Sequence, residues 1–191
     1  MDFLQEYERT EIIHGIEYAM SPPTLEHQTV QDNLSHILKG YLDGKRCQVF
    51  TGAGVKFEKN ENYIPDLVVV CDPKKLSSRG INGAPDFIAE ILSLSTKKRD
   101  LTTKKKAYEK YGVKEYWVID PKAESIEVYL PNHTSGHYEL DNVYQNATEA
   151  DMEGLTESEK ADIHISLKLS LYDDLVIQVK DIFKGLELLK K

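Results

Sequence analysis

Two cysteines, one tryptophan and no apolar run near the roughly 20 residues of a membrane span are the first facts of this chain. The missing run excludes a transmembrane helix. Cys47 and Cys71, in "RCQVF" and "VVVCD", are too few for a disulfide-stapled scaffold or for a cysteine-built zinc site. They could pair, but they are read as reduced thiols of a cytoplasmic protein. The start, "MDFLQEYERTEII", shows no basic leader followed by an apolar stretch, so no secretion signal is expected. No Gly-x-Ser-x-Gly elbow and no Cys/His motif is found, which leaves covalent hydrolysis unsupported. "TGAG" at residues 51–54 has two glycines without a phosphate-loop pattern and reads as a turn or bulge.

What is present is a chain of 191 residues, 40% apolar and 29% charged, expected to form one domain over residues 1–191 with a substantial core. The net charge of −8 argues at first against a nucleic-acid partner. Its distribution weakens that argument. Residues 139–162 hold eight acidic side chains and one lysine, so nearly all the excess charge sits in one stretch; the polar region 132–162 around it reads as a hairpin remnant followed by a loop or short helix.

Along the chain, "IEYAMSPP" reads as a short strand ending at Pro22 and Pro23. Val30, Leu34, Ile37, Leu38 and Tyr41 recur at helical spacing up to Gly44. "QVFTGAGVKFEKNENYIPDLVVVC" reads as two strands, and "APDFIAEILS" as a central strand covered on both faces. "STKKRDLTTKKKAYEKYG" is a helix closed by Gly112, "EYWVIDP" and "SIEVYLP" are paired strands, and the C-terminus reads as strand alternation followed by an amphipathic helix. The fold class expected is α/β, a mixed sheet with flanking helices.

The chemistry centres on Glu90, a carboxylate inside an apolar run that would be costly to bury unpaired. Asp66 follows Pro65 at the head of "LVVVC". Adjacent strands lie about 4.8 Å apart, so Asp66 and Glu90 could converge on one divalent cation, which would offset the cost. Taken singly, Pro-Asp is a common turn and a strand Glu can lie on an exposed edge; the pair is more informative than either. Asp86, a second Pro-Asp, reads as a strand-opening turn that can face water. Thr96, Asp100, Lys104 and Tyr108 fall at steps of four and line one helical face. Residues 97–110 carry seven basic side chains against two acidic ones, a patch suited to phosphate or a solvated face. Glu17 and His27 are lesser candidates, and Tyr116 and Trp117 read as core aromatics.

"IPDLVVV", "FIAEILSLST", Asp100, Lys104 and Tyr108 in register, and "YGVKEYWVIDP" together resemble the Uma-two family of the PD-(D/E)xK nuclease superfamily. The similarity extends through "EYAMSPPTLEHQTV" and "SLYDDLVIQVKDIF". The resemblance implies a restriction-endonuclease-like core with Asp66, Glu90 and Lys104 as catalytic residues. Asp66, Glu90 and the backbone carbonyl of Ile91 would hold Mg²⁺ or Mn²⁺. Glu17, His27, Asp100 and Tyr108 would support the site, and Lys97, Lys98, Arg99 and Lys105 would contact DNA. Leu92 stands where the superfamily places its lysine, and Lys104 matches the helix lysine of this family. The implied activity is metal-dependent DNA cleavage by a homodimer. The alternatives are a nuclease fold that binds nucleic acid or protein without cutting, and a factor acting on RNA.

Overall fold

The computed structural model describes residues 9–190. The N-terminal hairpin of β1 (Thr10–Ile13) and β2 (Ile16–Ala19) leads through Pro22 and Pro23 into α1 (Leu25–Leu42). Then come β3 (Gln48–Thr51), β4 (Val55–Glu58), β5 (Glu61–Tyr63) and β6 (Leu67–Val70). Two short strands, β7 (Leu76–Ser77) and β8 (Gly80–Asn82), precede β9 (Phe87–Ile91). A helical stretch follows as α2 (Lys97–Arg99), a π-helical turn over Asp100–Lys104 and α3 (Lys105–Tyr111). The rest is β10 (Glu115–Asp120), β11 (Ser125–Pro131), β12 (Tyr138–Gln145), α4 (Glu157–Ala161), β13 (Ser166–Lys168), β14 (Val176–Gln178) and α5 (Val179–Ile182).

Two mixed sheets carry the fold. The outer one runs β2-β1-β5-β4-β8-β7 and the central one β12-β11-β10-β9-β6-β3. In the central sheet β9 and β10 are parallel and the other pairs antiparallel. Every residue of β9 is buried, as a strand covered on both faces must be. On one face Leu67, Val69, Phe87, Ala89 and Trp117 pack with Val30, Leu34 and Leu38 of α1 and with Ile182 and Phe183. On the other, Val68, Val70, Ile88, Tyr116 and Val118 pack with Tyr108 of α3 and with Ile13 and Tyr63 of the outer sheet. Tyr116 and Trp117 are both core residues.

Three expectations change. The stretch read as two strands forms four, because the chain leaves the central sheet after β3 at Gly52 (φ +56°) and returns at β6. The C-terminal amphipathic helix is only α5 and a 3₁₀ turn over Leu186–Leu188, since Gly185 adopts φ +93° between them. The cysteines are not free thiols. The antiparallel register Gln48↔Val70 sets Cys47 across from Cys71 one step further on, and the two are joined as a disulfide. In the acidic stretch Thr156 and Glu159 form a capping box that opens α4.

Candidate active site

The register Leu67↔Ala89 between β6 and β9 brings Asp66 opposite Glu90 at the next step. Both side chains leave the sheet on the face that carries Val68 and Ile88, because strand side chains alternate. Asp66 Oδ2 accepts from the Ile91 amide at 2.7 Å and stands 3.1 Å from His27 Nε2. An N–H and C=O of one strand residue face the same neighbour, so the Ile91 carbonyl also looks towards β6. The Asp66 carbonyl accepts from Gly52 N and from Gln31 Nε2, at 3.1 and 2.6 Å. His27 and Gln31 sit four apart on α1, whose Thr24 cap accepts from the His27 amide.

Glu90 accepts from Tyr108 OH at 2.6 Å and from Lys104 Nζ at 3.1 Å, both on Oε1. Lys104 Nζ also stands 2.8 Å from Glu11 Oε1 and 3.5 Å from Asp100 Oδ1. Glu11, Glu90, Asp100 and Lys104 are each at most 2% exposed. Burial pushes the Glu90 carboxyl well above the usual range, with Lys104 opposing it, and raises Asp100 in the same way. Burial alone would lower Lys104, but Glu90, Glu11 and Asp100 together hold it above the ordinary lysine range. The π-helical turn spans Asp100 to Lys104 and keeps both side chains directed inward.

Asp66, Glu90, Ile91, Lys104 and His27 line one cavity of about 710 Å³. Glu17 does not belong to it. It pairs across from Ile12 on β1 and is exposed, whereas Glu11 shares the inward face of β1 with Ile13 and reaches Lys104. Glu11 also accepts from the Ile64 amide at 2.9 Å. Alternation along the hairpin turning at His14–Gly15 was the signal available for Glu11; Gln31 had none beyond its spacing from His27.

The basic patch disperses. Lys97 lines the cavity and pairs with Asp120 at 2.9 Å, and Arg99 lines it with its guanidinium over the Tyr18 ring. Lys98 is exposed outside the lining, and Lys105 lies 3.4 Å above the Tyr129 ring, away from it. Asp86, expected to face water, is 6% exposed and accepts from the Cys71 amide and from Lys114 Nζ. Among the described residues no three His, Cys, Asp or Glu side chains converge as a ready-made metal cage. The donor set fits a cation held more sparsely. All Asp66 side-chain contacts fall on Oδ2 and all Glu90 contacts on Oε1, which leaves Oδ1 and Oε2 uncommitted beside the same cavity. Mg²⁺ commonly takes one or two carboxylates and completes its shell with water and substrate phosphate.

A mixed sheet flanked by helices, with an aspartate and a glutamate opposed on adjacent strands and a lysine between helix and sheet, defines a restriction-endonuclease-like core. The chain belongs to the Uma2 family, described as "Putative restriction endonuclease", whose model matches residues 1–165. A solved structure titled a "putative nuclease belonging to DUF820", from Anabaena variabilis, shares the fold with a TM-score of 0.68 at 20% identity, covering 91% of this chain and 89% of that one. A Synechocystis protein named "Uncharacterized protein slr1290" is 27% identical over 131 residues, 67% of this chain and 69% of its own.

Proposed function

We propose that this protein is a metal-dependent DNA endonuclease that hydrolyses phosphodiester bonds at the Asp66–Glu90 pair, with Mg²⁺ or Mn²⁺ as its cofactor. The observation that carries this reading is a charge imbalance. Glu11, Glu90 and Asp100 gather around a single ammonium, Lys104, while Asp66, opposite Glu90, has only His27 as a charged partner among the described residues, and two carboxylate oxygens are left uncommitted at the cavity wall. Buried carboxylates in such excess call for protons or a cation.

A bound divalent cation would lower the pKa of a coordinated water and offset charge on the phosphate. Asp66, Glu90 and the Ile91 carbonyl are the groups that would hold it. In the reaction the water oxygen bonds to phosphorus, one P–O ester bond breaks, and the leaving oxygen takes up a proton. Lys104 and Tyr108 fix the Glu90 carboxylate through Oε1, and the Ile91 amide and His27 fix Asp66 through Oδ2. Lys104 takes the place of the lysine absent at Leu92, which supports a retained activity over a merely binding protein. Arg99 and Lys97 at the cavity wall provide contacts for flanking phosphates. Two such sites, as in a homodimer, are needed to cut both strands of a duplex.

The test is cleavage of supercoiled DNA with and without Mn²⁺. Asp66→Asn and Glu90→Gln should each lower the rate by about 100-fold or more while circular dichroism stays unchanged. Full activity in both variants sinks the assignment.

A further inference from the structure

We infer that the site acts on a strand that is unpaired or unstacked at the scissile phosphate, and that Leu94 is the wedge that holds it so; this rests on the nuclease reading above. The carboxylates lie at the floor of the cavity, Glu90 with 3% and Asp66 with 15% of its side chain exposed. A volume of about 710 Å³ is that of a small-ligand pocket. It accommodates a nucleotide and not a turn of duplex. Successive phosphates on a stacked strand advance about 3.4 Å each along the helix axis and form a continuous helical wall. To reach the floor, one must leave that path with its sugar and base.

The rim is built for such a departure. Leu94 is 88% exposed, the most exposed large apolar side chain among the described residues. Its loop is fixed behind it: Ser93 Oγ lies 3.1 Å from Ser95 Oγ and 3.0 Å from Thr96 Oγ1, and the Thr96 and Lys97 amides donate to the Ser93 carbonyl. Met20, Pro22 and Pro23 line the same cavity and add apolar surface for a displaced base. Leu, Met and Pro are the side chains that enter base steps as wedges. Arg9, Arg99 and Lys122 supply cations along the same lining for phosphates on either side. The polar floor suits the scissile phosphate, the apolar lip a displaced base, and the cationic flanks the phosphates to either side.

The experiment is anisotropy of fluorescein-labelled DNA with the wild-type protein in Ca²⁺, using a single strand, a paired duplex, and a duplex with a three-nucleotide mismatch bubble. Single strand and bubble should bind about tenfold more tightly than the paired duplex, within the range worth one stacked base. Leu94→Ala should narrow that ratio to within about threefold, with an unchanged melting temperature because the side chain is solvent-exposed. Equal or tighter binding of the paired duplex, or an unchanged ratio in Leu94→Ala, overturns the inference. Cleavage of paired and bubble DNA at one rate in Mn²⁺ overturns it and leaves the nuclease reading standing. Absence of both binding and cleavage on all three DNAs overturns both.

Discussion

Replacing Lys104 by methionine would leave Glu11, Glu90 and Asp100 facing one another with no ammonium between them. Stability in urea should fall by about 3–5 kcal/mol, the cost of orphaning buried charge. Glu90→Gln in the same chain should restore part of it, because the two changes touch one network. Asp86 makes a different pH prediction. Burial pushes its carboxyl up, but Lys114 and the Cys71 amide outweigh burial and hold it below the usual range. A depressed folded pKa stabilises above the unfolded value of 3.8 and the contribution is lost as pH falls through the folded value. Asp86→Asn should therefore cost about 1 kcal/mol at pH 7, and the cost should vanish once the Asp86 carboxyl is protonated in both the folded and unfolded states, read from melts between pH 7 and pH 2. At this scale the sequence was legible where chemistry and position coincide. Glu90 stood out because no core strand keeps a carboxylate for nothing. Glu11 did not, since one residue of register separates it from an outward position and Glu17 had equal chemical claim.

Among the elements, the run from Phe87 to Ile91 was readable as a central strand because a strand with two covered faces has no polar phase. The helix after it was readable by its Gly112 cap, found at φ +81°, but its π-helical turn was not, because an extra residue per turn leaves no mark in a four-residue repeat. The division of residues 48–71 into four strands was hidden for another reason: β4 and β5 find partners outside that stretch, in β8 and β1. Gly80, at φ +139°, sits so close under the Gly54 carbonyl that a Cβ would lie 2.5 Å from that oxygen. Gly80→Ala should cost about 2 kcal/mol or more, measured by chemical denaturation, because both the backbone and the contact must give.

In the whole molecule the disulfide ties β3, an edge of the central sheet, to β6, whose head carries Asp66. It closes a loop of 24 residues. Its loss should lower stability by about 3 kcal/mol on loop entropy, seen as a lower melting temperature under reducing conditions and reproduced by a Cys47→Ser and Cys71→Ser double variant without reductant. The pairing was out of reach of spacing alone, since 24 residues could be bridged by many folds. Only the register of β3 against β6 brings the sulfurs together.

Lys104 belongs to a helix yet touches Glu11 of the outer sheet and Glu90 of the central one. It is thus a clasp between layers as well as part of a site. The ammonium is what holds Glu11, and with it the N-terminal hairpin, to the floor of the cavity, so opening of that hairpin becomes a remote gauge of the lysine's place there. Amide exchange in β1 and β2 would quicken in Lys104→Met before exchange in β9 does, and the hairpin would report the state of a centre it only borders.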